Sequence, residues 1–262
     1  MDVLLTADET TVQRAAAEFL ATESTAALAR QAEHDPDRIS RALWAKVAEL
    51  GWLGISLPEA CGGQELPLSY LGLLFEELGR QITPVPMLGT MVTALILARH
   101  GSAAQRDLLH QVVEGKLILT YAVQERDCRW SPDAVSLAGK IEGDQLVLTG
   151  EKAFVDNFRS AGQCLVVFRM LDGSGLGLAL VDTKASGISV TDLVTTAGDA
   201  EATVGFEGVR VPVADVVGTP GSGRSIVLEL MDLAAAFTTA LMVGAAGEAT
   251  HRAVEYAKQR IA

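Results

Sequence analysis

The sequence has 262 residues, and 49% of them are apolar, which suffices for a packed core in one or two domains. Its 21 Lys and Arg against 33 Asp and Glu give a net charge of −12, and it contains no basic run, so a nucleic-acid partner is not expected. Cys61, Cys128 and Cys164 show no C-x-x-C spacing, which argues against a disulfide framework or a zinc site and favours a cytoplasmic location. The uncharged stretch 233–247 is too short to span a bilayer, and no basic signal-peptide start is present, so we expect no membrane segment.

Apolar residues recur at helical spacing through the first 115 residues. In the clearest case Leu71, Leu74, Phe75 and Leu78 line one face of a predicted helix. Asp8 is the predicted cap of the first helix, and a second helix begins near Ser40 and is closed by Gly51. A third is predicted from near Ser69 to Arg80, and a fourth from Met87 to His100. A fifth follows Ser102, which forms a capping box with Gln105. This part of the chain therefore predicts an all-helical unit.

After Lys116 the hydrophobic period changes from about 3.6 to about 2. The turn Gly143-Asp144 predicts one hairpin, and the turn 172–175 predicts another. Further short strands are predicted at 188–190, 203–206 and 209–213, and the helical period returns at Ser225. Short strands without intervening helices favour an antiparallel sandwich or barrel. We therefore predict an α+β fold with a helical domain at 1–116, an antiparallel, barrel-like β domain at 117–217 and a further helical region at 218–262.

Local motifs name no reaction by themselves. Gly218, Gly223, Arg224 and Ser225 nearly match a phosphate-binding loop, but arginine replaces the lysine that this loop requires, and Pro212 precedes it where a buried parallel strand is needed. An ordinary glycine-rich entry to a helix is the better interpretation. The four histidines are scattered without ligand spacing, so no metal is expected.

Three longer stretches, read together, resemble the acyl-CoA dehydrogenase family of flavoproteins. The first is 43–80, which is similar to the family's N-terminal helical signature. The second is EGKLILTYAVQE (114–125) with TGEKAFVDN (149–157), and the third is VGFEGVRVPVADVVG (204–218). They occur in the family's order and cover most of the chain.

The resemblance implies a helical domain, a barrel-like β domain and the start of a C-terminal helical bundle, with FAD held between the latter two and a neighbouring subunit. It implies an acyl-CoA substrate and a homo- or hetero-oligomer, either a dimer or a tetramer. The positions matching the family's isoalloxazine wall are Tyr121, Val123, Gln124, Phe154 and Asp156, whereas Arg260 matches an arginine that reaches the flavin of a partner subunit.

The sequence departs from the family pattern at several of these positions. Of the Thr-Glu-Pro loop only Glu125 remains, and we place it beside the flavin edge. Phe154 and Asp156 replace the usual Trp and Thr, and a carboxylate there disfavours a reduced, anionic flavin unless it is neutralised or points away. Ala234 and Ala235 stand where some members carry a Glu-Arg pair. The resemblance places the usual catalytic glutamate beyond residue 262, so we assign no catalytic residue.

Two functions are compatible with these residues. The first is FAD-dependent α,β-dehydrogenation of an acyl-CoA thioester, in which a glutamate removes the α proton. The second is a catalytically silent family member that acts as a structural or flavin-sharing subunit of a hetero-oligomer. The departures favour the second function, whereas the resemblance itself favours the first.

Overall fold

The computed structural model describes residues 4–127 and 129–260, so Cys128 lies outside the described residues. A helical part comes first, a sheet follows, and a long helix comes last. The helices are α1 Ala7–Glu23, α2 Ala26–Ala32, α3 Arg41–Glu49, α4 Leu68–Arg80, α5 Met87–His100, α6 Ala103–Asp107, α7 Leu109–Val113 and α8 Arg224–Gln259. The strands are β1 Leu119–Ala122, β2 Ala138–Glu142, β3 Gln145–Asp156, β4 Gln163–Met170, β5 Leu176–Asp182, β6 Ile188–Asp192, β7 Glu201–Pro212 and β8 Val216–Val217.

The helical part confirms most of the predicted helix ends and corrects two of them. Gly51 closes the segment after α3 with a φ of 74°, and Ser102 and Gln105 form the predicted capping box. Thr6, rather than Asp8, caps α1, because its side chain accepts from the Glu9 N–H while Glu9 bonds back. The helix predicted after Ser102 is divided into α6 and α7, and α2 was not predicted.

The sheet is open and mixed, which corrects the prediction of an antiparallel barrel. Its strand order is β6-β7-β3-β2-β4-β5-β8, with β1 paired to β4. The pairs β1 with β4 and β2 with β4 are parallel, and the remaining pairs are antiparallel. Strand β4 pairs with β1 along residues 163–166 and with β2 at residues 169–170. Hydrophobic alternation predicts where strands lie but not which neighbour each strand takes, so the pattern could not show this arrangement.

Strand β7 replaces two shorter predicted strands. It runs through Gly208, which has a φ of 62° and is the extra residue where the pairing with β3 shifts between Leu148 and Thr149. Such a bulge keeps a strand continuous while it interrupts the alternation of its side chains. The sequence pattern therefore suggested two strands where the chain forms one.

The core consists of two buried clusters on opposite faces of the sheet. Leu165 and Val167 of β4 face a cluster shared with the helices, whereas Val166 and Phe168 face a second cluster built from strands. The first cluster also includes Leu230 of α8. It therefore joins the first, middle and last parts of the chain, and the division into separate domains at 116 and 217 stays a prediction.

Helix α8 packs against α4 at very close range. A Cβ on Gly79 of α4 would lie 2.0 Å from the carbonyl oxygen of Leu241, and one on Gly244 of α8 would lie 1.8 Å from that of Glu76. Both glycines are therefore required for this crossing. Helix α8 is also long and apolar enough to cross a membrane by length and composition, a test that core helices of soluble proteins pass as well.

Candidate functional site

The C-terminal ends of β1 and β3 lie side by side and form one wall of the site. The Ala153 N–H donates to the Gln124 carbonyl oxygen at 2.9 Å. The Thr120 hydroxyl donates to the Asp156 carbonyl oxygen at 2.6 Å. Because side chains alternate along a strand, Tyr121 lies on the helix-facing side while Ala122 packs into the strand cluster. The two segments therefore present their side chains to the same space.

A bulge in β3 exposes Phe154 to this space. Between the pairs Lys152–Val204 and Val155–Ala202, β3 has two residues where β7 has one. Phe154 has a φ of 55°, an uncommon conformation for a non-glycine residue, and it is 41% exposed. Bulges and backbone outliers of this kind cluster at binding sites, where they reorient a side chain.

The wall faces a pocket of about 840 Å³. Tyr121, Val123, Gln124, Phe154 and Asp156 all line it, so the five residues predicted for a flavin wall come together. The opposite walls come from the apolar and small residues of three helices, Phe75, Leu78 and Gly79 of α4, Met87 and Leu88 of α5, and Ala234, Ala235, Thr238 and Thr239 of α8. Arg260 does not line this pocket and is exposed after α8.

Tyr121 and Gln124, two of the five predicted wall residues, carry polar groups without a partner in the described part of the chain. The Tyr121 hydroxyl and the Gln124 side-chain amide both line the pocket, and neither forms a hydrogen bond within the part of the chain that the structure describes. Polar groups that are half-buried and unbonded are expected where a ligand or water completes them. The pocket thus combines apolar walls with a few convergent donors and acceptors, the usual character of a small-molecule site.

Four carboxyl groups line one side of the pocket, and we call them the acidic rim: Glu33, Asp156, Asp199 and Glu201. Arg38 is the one cation among the described lining residues, and its Nη1 already donates to the Asp199 carbonyl oxygen at 2.6 Å. Burial raises the pKa of Glu201, and Asp199 adds to this effect. The rim therefore disfavours further negative charge nearby.

Asp156 is the carboxyl of this rim that lies on the flavin-type wall. Burial raises the pKa of Asp156 to about 7; the hydrogen bond from the Asn157 amide at 2.6 Å opposes this rise, while Asp199 and Glu201 add to it. Burial also raises the pKa of the Tyr121 hydroxyl, and the nearby Asp156 contributes. Near neutral pH the carboxyl of Asp156 is therefore divided between its neutral and ionised forms.

Glu125 was predicted to lie beside the flavin edge, but the structure places it behind the pocket wall. It does not line the pocket; its carboxylate accepts from the backbone N–H groups of Ser136 and Leu137 at 2.9 Å and from Lys152 Nζ at 2.9 Å. The Lys152 side chain is fully buried and also donates to the Val123 carbonyl oxygen. Although burial opposes ionisation, these bonds hold the pKa of Glu125 below its ordinary value. Glu125 and Lys152 therefore anchor the wall behind the pocket.

The rim residues Glu33, Arg38 and Asp199 were not predicted. They belong to two loops, 33–40 and 193–200, which carry no periodic pattern or motif. Arg38 and Asp199 lie 161 positions apart in the chain, so only the tertiary structure brings them together.

Comparisons with known proteins agree with this architecture. A family model described as the acyl-CoA dehydrogenase N-terminal domain matches residues 6–116. Mitochondrial short-chain specific acyl-CoA dehydrogenase of Homo sapiens is 27% identical over 227 residues, which are 83% of this chain and 55% of that protein. Acyl-CoA dehydrogenase FadE12 of Mycobacterium tuberculosis is 26% identical over 241 residues, 88% of this chain and 61% of that protein. The chain thus spans little more than half the length of these relatives.

Solved structures give the same result at higher coverage. A variant of the Tcur3481-Tcur3483 steroid ACAD (acyl-CoA dehydrogenase) is 34% identical, with a TM-score of 0.87, over 97% of this chain and 68% of that chain. The ChsE4-ChsE5 complex from Mycobacterium tuberculosis has a TM-score of 0.91 and 25% identity over 100% of this chain and 70% of that chain. The sequence, the order of the helices and strands and these likenesses together show that the chain belongs to the acyl-CoA dehydrogenase family.

Proposed function

We propose that this chain binds the isoalloxazine ring of FAD and the acyl part of an acyl-CoA in the pocket described above, as part of an FAD-dependent acyl-CoA dehydrogenase. The observation that carries the proposal is the meeting of all five predicted wall residues with the apolar faces of α4, α5 and α8 in one pocket. The sheet side suits a flat, polar-edged ring, and the helical side suits a hydrocarbon chain.

The residues fit the flavin ring better than they fit the rest of FAD. Phe154 and Val123 offer apolar surface to a ring, and the unbonded groups of Tyr121 and Gln124 suit the donors and acceptors at its edge. The diphosphate needs cations, and Arg38 is the one cation among the described lining residues. In this proposal the ring therefore enters the pocket while the diphosphate lies outside it.

Bound FAD supplies the acceptor for the hydride that leaves the β carbon in this family's reaction. The residues of this chain orient the ring and exclude water from it. Gln124 and Tyr121 provide hydrogen bonds, and Phe154, at its bulge, provides an apolar lining surface. A water-excluded site strengthens each of these polar contacts.

The helical wall offers no carboxylate for removal of the α proton. Ala234 and Ala235 of α8 line it, and the described lining residues of α4, α5 and α8 include no acidic residue. This favours the second function, a flavin-sharing subunit whose partner supplies the base. Met242 and Tyr256 on α8 are 65% and 66% exposed, which gives the helix apolar surface for such a partner. We therefore propose that the chain works in an oligomer.

A bulky acyl group is the substrate class that we propose. The small side chains of Ala234, Ala235 and Thr238 widen the helical side of the pocket. The 34% identical structure is titled a steroid ACAD, which agrees with a polycyclic acyl group.

An anaerobic titration separates the two functions. FAD-loaded protein is mixed with steroid-side-chain, medium-chain and short-chain acyl-CoAs while the flavin absorbance is followed. We expect no bleaching by the chain alone, because loss of the base removes roughly 10²- to 10⁴-fold of rate. Bleaching by the isolated chain contradicts the flavin-sharing function, and failure to bind FAD at all contradicts both.

A further inference from the structure

We propose that Asp156 makes flavin binding in this pocket proton-dependent: its neutral carboxyl donates a hydrogen bond to the ring, and its ionised carboxylate repels the ring's electron-rich edge. The inference rests on the proposed function and adds to it a ligand contact that depends on the charge of one side chain.

The geometry around Asp156 supports a role towards a ligand. Its Cα pairs with Glu201 across β3 and β7, and its backbone carbonyl is fixed by the Thr120 hydroxyl at 2.6 Å. The Asn157 amide donates to Oδ1 at 2.6 Å, which leaves Oδ2 without a bond to a side chain within the described residues. Since Asp156 lines the pocket next to the unbonded Tyr121 and Gln124, its second oxygen is available to whatever the pocket holds.

The charges that face Asp156 are nearly all negative. The loop before β7 and the strand itself supply Asp199 and Glu201, α2 ends beside Glu33, and the following loop supplies Arg38. Strand β1 contributes the neutral Tyr121. The described lining residues of α4, α5 and α8 contain no titratable group. Arg38 donates to the Asp199 carbonyl oxygen and forms no ion pair with Asp156 in the described part of the chain.

A carboxyl in this setting acts as a donor when it keeps its proton. Burial and the neighbouring acids favour the neutral form, and the shift of the pKa to about 7 places the change within the physiological range. A neutral carboxyl and an amide are both donors, so an asparagine reproduces the neutral state at every pH and still accepts from Asn157. A threonine also keeps a neutral donor in a smaller side chain.

The test measures the dissociation constants of FAD and riboflavin by fluorescence between about pH 5.5 and pH 8.5, a range that brackets the titration of Asp156. The proteins are wild type, Asp156→Asn, Asp156→Thr and the neighbouring rim variant Glu201→Gln, each checked for folding by circular dichroism. We expect wild type to bind both flavins about tenfold more weakly at about pH 8.5 than at about pH 5.5. A tenfold change in the dissociation constant is about what one hydrogen bond contributes. Both Asp156 variants are expected to bind independently of pH. Glu201→Gln is expected to keep the pH dependence but to move it to lower pH, because the charge of Glu201 helps to raise the pKa of Asp156.

Riboflavin lacks the diphosphate and so separates the ring from the charged tail. Dependence on pH for FAD but not for riboflavin would show that the acidic rim acts on the phosphates, which overturns the proposal. The proposal also fails if wild type binds flavin equally at all pH values, or if Glu201→Gln abolishes the dependence, and in either case the proposed function stands. If none of the four proteins binds flavin at any pH, the proposed function fails together with this inference.

Discussion

Glu125 and Asp156 are two carboxyl groups on the same wall of the sheet, and the fold surrounds them in opposite ways. Glu125 accepts hydrogen bonds from Ser136, Leu137 and buried Lys152, and its pKa lies below the ordinary value. Asp156 faces a pocket beside other acids, and its pKa is raised to about 7. A charged group whose hydrogen-bond partners all come from the protein stabilises the fold, whereas one that lacks such partners is available to a ligand. Glu125 therefore stabilises the wall from behind, and Asp156 belongs to the surface that faces the pocket.

The largest effect on stability is expected at the ion pair between Glu125 and Lys152. Replacing Lys152 by methionine leaves Glu125 half-buried without its ion pair, which should lower the free energy of unfolding by about 3 kcal/mol or more. The matched control is Lys140→Met on β2, whose pair with Glu142 is exposed and should contribute less than about 1 kcal/mol. Urea denaturation of both variants measures the difference. Equal losses for the two would mean that the Glu125–Lys152 pair does not hold the wall.

The helical wall of the pocket should be nearly as intolerant of change. Gly79→Ala places a Cβ 2.0 Å from the Leu241 carbonyl oxygen, so α4 and α8 must separate, and we expect a loss of about 2–3 kcal/mol. Gly72→Ala in the same helix meets no atom within 4 Å and should stabilise the protein by up to about 1 kcal/mol. Thermal denaturation compares the two. A neutral Gly79→Ala would show that the helices do not approach this closely.

The two carboxyl groups also predict opposite dependences of stability on pH. Glu125 has a lowered pKa, so its contribution is present above the ordinary glutamate pKa and is lost as the pH falls. Asp156 has a raised pKa, so the folded state holds its proton more tightly, and the resulting stability is lost as the pH rises from about 4 through 7. Its size, reduced for partial exposure, is about 1–2 kcal/mol.

Unfolding free energies between about pH 2 and about pH 8, a range that includes the titration of both groups, check this prediction. Asp156→Asn should remove the decline towards high pH, while Glu125→Gln should reduce the loss towards low pH. The opposite outcome, in which Asp156→Asn steepens the decline, would mean that Asp156 is ionised in the folded protein across this range.

The sequence predicts an element of this fold when the residues that determine the element are close together in the chain. Helix α5 was predicted at both ends because Pro86 and Gly101 bound an apolar run. Helix α2 was missed because it has seven residues, of which Ala32 alone is buried. The parallel partners of β4 could not be foreseen either, since a strand's neighbours are chosen by contacts distant in sequence.

The site shows the same limit. The five wall residues follow from motif positions on β1, directly after it and on β3, and the structure brings them together in one pocket. The role of Glu125 did not follow, because it depends on Ser136 and Leu137, which the motif does not include. The acidic rim depends on two loops from distant parts of the chain, so no local pattern indicated the charges around Asp156.

Binding of a flavin ring by the wall at the ends of β1 and β3 can be measured by an FAD titration of the 262-residue chain at about pH 6, below the pKa of Asp156. We expect saturable binding that Gln124→Leu weakens about tenfold, because the unbonded amide is lost. Gln145→Leu, at the far end of β3 and outside the pocket, should leave the affinity unchanged. Absence of binding, or equal affinities for the two variants, would show that this wall does not bind the flavin ring.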